Sequence, residues 1–131
     1  MRLHTDASHD EEVIGIAYVI EDDIENIYLE GNRYVVGEYT SMEAEYRALM
    51  LGIHAASWQE DGHLSVCTDC QPLVDKMNYL NHPSEKWNEM RSDCHELLNT
   101  FEGWTINYIP RSRNEAADRL AREALWLGRE Q

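Results

Sequence analysis

The sequence predicts an α/β domain, a mixed β-sheet with helices on both faces. Three observations predict it. The first third of the chain is built of apolar, strand-like segments separated by polar turns. A helical apolar period begins at Thr40. From there on, short apolar strands alternate with amphipathic segments. The 131 residues suit one domain, 1–131, with a core that needs no disulfide or metal staple.

Residues 3–6 read as a short strand ending in Thr5-Asp6-Ala7-Ser8, and 9–12 as a polar turn. Residues 13–20 are almost wholly apolar, as in a strand buried on both faces. Residues 24–30 extend that arm, Gly31-Asn32 signals a turn, and 33–39 return as a strand. Thr40-Ser41-Met42-Glu43 has capping-box spacing, in which the Thr hydroxyl accepts from the Glu43 N–H and the Glu reaches back. The helix it opens runs to Trp58, with Met42, Tyr46, Leu49, Ile53 and Ala56 on one stripe. Ala44, Ala48, Gly52 and Ala55 let it lie close on a sheet. Asp61-Gly62 ends the segment, and 64–68 form a strand with Asp69 at its carboxyl end. Residues 72–80 read as a helix with Pro72 in its first turn, broken by His82-Pro83. Ser84 opens another, which runs to about Glu102 and is stopped by Gly103. Residues 104–109 alternate as a strand and 110–113 are a loop. Asn114 caps a last helix whose stripe is Ala117, Leu120, Ala121, Ala124 and Leu125. Ligands of open α/β sheets sit beyond the carboxyl ends of the strands, where Asp6 and Asp69 stand.

With 25 acidic and 11 basic residues the net charge is −14, which by itself argues against a polyanionic partner. Nine of the basic residues are Arg and only Lys76 and Lys86 are Lys. Acid-rich, lysine-poor composition resembles that of cytosolic halophile proteins, because at ~1 M salt the Debye length is about 3 Å and surface carboxylates hardly repel. A merely acidic mesophile protein is the other reading. Cys67, Cys70 and Cys94 are an odd count, which fits a reducing cytoplasm. Cys67-Thr68-Asp69-Cys70 lacks a second pair at zinc-finger spacing, so chance accounts for its C-x-x-C pattern. No apolar run reaches the roughly 18 residues of a membrane span, and Met1 to Asp6 lack a signal-peptide layout.

Asp10, Glu11, Glu12, Glu21, Asp22 and Asp23 read as solvated turn acids. Four other acids stand where solvation is not expected. Asp6 and Asp69 end strands, Glu45 lies on a sheet-packing helix, and Asp118 edges the last apolar stripe. A buried lone carboxylate shifts its pKa to stay neutral, and several together repel one another. Divalent cations with hard oxygen ligands remove that conflict. Two such ions roughly 4 Å apart serve phosphodiester hydrolysis. Each acid alone has a bland reading as a cap or edge residue.

Thr5-Asp6-Ala7-Ser8, Ala44-Glu45-Tyr46-Arg47-Ala48-Leu49, Leu64-Ser65-Val66-Cys67-Thr68-Asp69-Cys70-Gln71 and Asn114-Glu115-Ala116-Ala117-Asp118-Arg119-Leu120-Ala121 resemble, in order, the type 1 ribonuclease H family. The likeness is greatest to its compact archaeal and reverse-transcriptase-like branch and spans nearly the whole chain. It implies a ribonuclease H-like fold, a five-stranded mixed sheet with the second strand antiparallel. It implies endonucleolytic cleavage of the RNA strand of RNA–DNA hybrids, with two Mg²⁺ or Mn²⁺ ions on Asp6, Glu45, Asp69 and Asp118, Asp6 bridging both. The family's mobile basic residue before the last helix, often His, corresponds here to Arg111. Arg is no general base near neutral pH, so its role would be electrostatic, on the scissile phosphate or the leaving product. The bland reading of Arg111 and Arg113 is a solvated loop pair.

The chain departs from the family pattern in three places. Ala7 replaces a Gly after the first strand, Ser41 and Met42 stand where an Asn pair contacts the hybrid, and the basic handle is missing. Sugar discrimination must then read the 2′-OH, with Ser8 and Ser41 as candidates. Arg113 is a further substrate-binding candidate, as is Trp87, which would stack on a base or sugar or else serve as an ordinary core or surface Trp. Trp58, Trp104 and Trp126 read as core. Alternatives are a same-fold nuclease for double-stranded RNA or RNA–DNA junctions, a non-catalytic nucleic-acid-binding module, or an acidic interaction protein. The expected state is a cytoplasmic monomer, free of membrane.

Overall fold

A computed structural model of the protein describes every residue except 23, 25, 60, 79–84 and 131, and for 28 and 85–87 it describes the backbone alone. In chain order the elements are β1 (Arg2–His9), β2 (Val13–Glu21), β3 (Ile27–Val36), α1 (Ser41–Ser57), β4 (His63–Thr68), α2 (Gln71–Asn78), α3 (Glu85–Leu98), β5 (Gly103–Tyr108), a 3-10 turn (Arg111–Arg113) and α4 (Glu115–Arg129). The strands form one sheet in the order β3-β2-β1-β4-β5. β2 runs antiparallel to both its neighbours, while β1, β4 and β5 are parallel. This is the five-stranded mixed sheet that the sequence predicts.

The capping box forms as expected. The Glu43 N–H donates to Thr40 Oγ1 at 3.1 Å and the Thr40 N–H donates to Glu43 Oε1 at 3.3 Å. This fixes where α1 begins. The helix then buries Tyr46, Leu49 and Ile53 and brings Gly52 onto β1, where a Cβ would stand 2.8 Å from Thr5 Cγ2. Cross-strand partners share a face, so Leu3, Thr5, Tyr18 and Ile20 look toward α1, and His4, Asp6, Ala17 and Val19 look toward α4. Leu73, Met77, Cys94 and Leu98 from α2 and α3 complete the α1-side core. On the other face α4 lies almost in contact with β2. A Cβ on Gly15 would meet the Ala121 carbonyl oxygen.

Several sequence expectations are corrected. Gly31 and Asn32 are not a turn but the middle of β3, paired with Tyr18 and Ala17. Gly31 is needed there because the Tyr18 ring fills the space above it, its hydroxyl 2.6 Å from where a Cβ would be. The turn lies earlier, where Asp22 Oδ1 accepts from the Ile24 and Asn26 N–H groups at 3.0 Å. Glu21 is not a solvated turn acid. It ends β2 with a side chain only 13% exposed, 2.6 Å from His4 Nε2 and 3.4 Å from Arg2 Nη1. Asp23, the helix end at Leu80, the His82-Pro83 break and the Ser84 start lie outside the described residues. Helix α3 stops at Leu98, and Gly103 opens β5 instead of ending a helix. Trp58 and Trp126 are not core, being 84% and 65% exposed, whereas Trp104 is half-buried against it. Among the described residues no helix is long and apolar enough to cross a membrane.

Candidate active site

Asp6 does not end its strand, as the sequence suggests, but lies within β1 opposite Ala17, because pairing with β2 carries the strand on to His9. Parallel pairing with β4 brings it toward Asp69, just past the end of that strand. Arg2, Leu3 and His4 of β1 lie opposite Ser65, Val66 and Cys67 of β4. Continuing that register past the ends of the ladder puts Asp6 opposite Asp69. After Asp69 the chain turns sharply, because the Cys70 N–H donates to Thr68 Oγ1 at 3.1 Å, and α2 starts at Gln71. Glu45 comes from the capped end of α1 and Asp118 from the first turn of α4.

The acids sense one another. Asp6 is 5% exposed and accepts from the Ala7 N–H at 2.9 Å. Burial first, and then the charges of Asp69 and Asp118, push it up to about 8, against the Ala7 hydrogen bond. Glu45 is pushed up to about 9 by burial and then by Asp6 and Asp69. Its Oε2 is sealed from solvent with no hydrogen-bond partner. Asp69 is raised mainly by burial, with Arg111 pulling the other way and Asp118 adding to the rise. Asp118 Oδ2 is held by Arg122 Nη2 at 2.7 Å.

Among the described residues no three His, Cys, Asp or Glu side chains already enclose a metal position. Mutual repulsion and the Asp118–Arg122 pair both act to keep the carboxylates apart. The donor chemistry nevertheless fits a hard divalent cation: four carboxylates, three of them raised, and one buried oxygen with nothing to bind. Cys70 borders the cluster, but burial and then the Glu45 charge push its thiol up to about 11.

The remaining sequence candidates divide. Arg111 is exposed on the 3-10 turn and shares a cleft of about 520 Å³ with Asp118, Arg119 and Arg122. Arg113 turns elsewhere, lining a separate cavity of about 600 Å³ with Arg2, His4 and Glu21. Ser8 is half-buried near the end of β1, and Ser41 is exposed at the first position of α1. The Trp87 side chain lies outside the described residues.

Sequence reasoning missed Asn114. It stands at the N-cap position of α4 but makes no side-chain capping hydrogen bond. It is buried, and its Nδ2 donates to the Thr5 carbonyl at 3.0 Å. Its amide also holds Asp69 down. One side chain thus ties the middle of β1, Asp69 and the start of α4. The signal available was a cap-type residue directly after the last loop Arg, which reads locally only as a helix start. Oδ1 of the same residue is buried without a partner.

The family model described as reverse transcriptase-like matches residues 4–124. Ribonuclease HI of Halobacterium salinarum is 36% identical over 94 residues, covering 69% of this chain and 46% of that protein. The chain therefore spans about half the length of that relative. The putative hydrolase EbsB of Enterococcus faecalis is 26% identical over 113 residues, 85% of this chain and 80% of that protein. Among solved structures, RNase H1 from the halophilic archaeon Halobacterium salinarum superposes with a TM-score of 0.88 at 27% identity, covering 95% of this chain and 96% of that one. LC11-RNase H1, solved in complex with an RNA/DNA hybrid, gives 0.86 at 24% identity with 97% of both chains covered.

Proposed function

The chain belongs to the reverse transcriptase-like family and has the ribonuclease H fold, and from that premise we propose that it is a metal-dependent endoribonuclease cleaving the RNA strand of RNA–DNA hybrids. One observation carries the reading. Asp6, buried within a central strand, faces two further carboxyls whose charges raise it. Such a cluster is costly to a folded protein unless cations are its purpose.

Asp6, Glu45, Asp69 and Asp118 would hold two Mg²⁺ or Mn²⁺ ions, Asp6 contributing to both. Ions held by these residues would supply the Lewis acidity that phosphodiester hydrolysis needs, for the attacking water and for the leaving oxygen. The Ala7 N–H orients Asp6. Asn114 keeps β1, Asp69 and α4 in one arrangement. Arg111, whose charge already acts on Asp69, supplies positive potential for the scissile phosphate or the leaving product. Ser8 and Ser41 flank the site and read the 2′-OH, the group that tells RNA from DNA. Arg113 and Trp87 act as outlying substrate contacts. The free cysteines fit a reducing cytoplasm, and the 25 acids fit a high-salt one, in which the enzyme acts as a monomer.

The test uses labelled RNA–DNA hybrid, double-stranded RNA and double-stranded DNA with Mg²⁺ or Mn²⁺, from low to molar salt. Cleavage restricted to the hybrid and abolished in Asp69→Asn is expected. Cleavage of double-stranded RNA with the hybrid left intact would redirect the substrate assignment. Binding without cleavage at any salt would replace a hydrolase with a binding module.

A further inference from the structure

Outside the carboxylate cluster, the outer face of α4 carries a feature that the chemistry above does not use. Arg119, Arg122 and Trp126 recur at helical spacing along one side of the helix. Together with Glu123, Leu127 and Glu130 they line a groove of about 510 Å³. Arg119 and Arg122 also line the cleft that holds Arg111 and Asp118, so the groove adjoins the Asp118 side of the candidate active site. Trp126 is 65% exposed and Leu127 54% exposed, a large apolar outlay for a solvated helix face. At 1.5 Å per residue, Trp126 lies about 12 Å along the axis from Asp118.

We propose that this groove carries an unpaired stretch of the nucleic-acid strand out of the active site, its phosphates on Arg119 and Arg122 and a base stacked on Trp126. The inference rests on the hydrolase reading above and names a further contact for the same substrate. Charge and shape favour this occupant. Five of the nine Arg residues fall between 111 and 129 in a chain of net charge −14, so a polyanion has few other places to touch. Arg129 is spent on Asp10 at 2.6 Å, whereas Arg119 makes no ion pair among the described residues. Among the described residues Arg122 pairs with Asp118 alone, through a side chain 64% exposed. Glu123 and Glu130 on the groove weaken long-range attraction, so contact there is short-range, by guanidinium forks and by stacking. Stacking on an aromatic ring needs a free base face, which a duplex does not offer and an unpaired strand does.

The test compares cleavage of a blunt RNA–DNA hybrid with that of the same hybrid bearing an unpaired RNA tail of roughly eight nucleotides. In parallel, the tail oligonucleotide alone is titrated against the protein's tryptophan fluorescence. Trp126→Ala and Arg119→Gln are the variants. The tail should lower KM on the order of ten-fold in the wild type and much less in either variant. Cleavage of the blunt hybrid should be unchanged in both, and quenching by the oligonucleotide should be lost in Trp126→Ala. A tail advantage that persists in Trp126→Ala, or is absent in a wild type that cleaves the blunt hybrid, overturns the proposal. So does sedimentation showing that Trp126→Ala turns a dimer into a monomer, because the face then belongs to a second copy. If the blunt hybrid is not cleaved, the hydrolase reading fails instead, and the quenching titration alone decides the groove.

Discussion

Replacing Asp6 by Asn should flatten the response of the metal-free protein's stability to pH. In the folded chain burial first, and then Asp69 and Asp118, move this carboxyl from 3.8 to about 8. The unfolded chain titrates at the lower value, so the folded form holds the proton more tightly. Asp6 therefore contributes its full stability below about pH 4. That contribution drains away as pH rises through the window and is gone above the folded value of about 8. At about 1.4 kcal/mol per pH unit the ceiling is ~6 kcal/mol. Water at the open mouth and relaxation of the carboxylates cut this to an expected ~2–3 kcal/mol between about pH 5 and pH 9. For a domain of this size that is a fall in Tm of roughly 10 °C. Melting curves in chelator at constant salt measure it. The wild type should lose roughly 10 °C more than Asp6→Asn over that range, and Mg²⁺ or Mn²⁺ should restore only the wild type. Glu45, raised in the same direction, leaves a residual slope in the variant. Equal slopes in the two proteins would refute the idea that Asp6 is held protonated by its neighbours.

Four shorter predictions accompany it. Arg111→Ala removes the charge that pulls Asp69 down, so Asp69 should titrate higher and the acidic limb of the pH–rate profile should shift to higher pH. Gly15→Ala drives a Cβ into the Ala121 carbonyl and should cost about 3 kcal/mol, read by urea unfolding. Thr40→Ala breaks the capping box and should cost ~1 kcal/mol, while weakening divalent-ion affinity by calorimetry because Glu45 sits one turn further on. Asn114→Ala leaves the Thr5 carbonyl without its donor, a loss of about 1–3 kcal/mol, and should also raise Asp69 in an NMR titration.

Signals carried within a few residues were legible in the sequence. Thr40 and Glu43 write the start of α1 in four letters, and the apolar stripe beyond them fixes its buried face. Signals carried between strands were not. Gly31-Asn32 looks like a turn because nothing nearby says that Tyr18 will lie across Gly31 and exclude any other residue. The real turn rests on one Asp22 oxygen accepting two N–H groups, in a run of acids that also reads as plain solvation. Glu21 is hidden in the same run, though its partners, His4 and Arg2, come from the neighbouring strand. Trp58 and Trp126 look like core residues by type, yet Trp58 caps the exposed end of α1 and Trp126 falls on the outer side of α4. That Asp6 meets Asp69 follows from the β1–β4 register, which no local pattern contains. Asn114 shows the same limit in one residue, since its cap position is local and its bond to Thr5 spans 109 positions.

That bond also bears on when the site exists during synthesis. Asp6 leaves the ribosome before Asp118 of α4 and its cap residue Asn114. Until α4 docks on Gly15 and Asn114 reaches Thr5, the acids on β1, α1 and β4 lack their fourth member and their brace. A growing chain surrounded by RNA thus carries an unfinished centre, and the capacity for chemistry switches on together with completion of the fold.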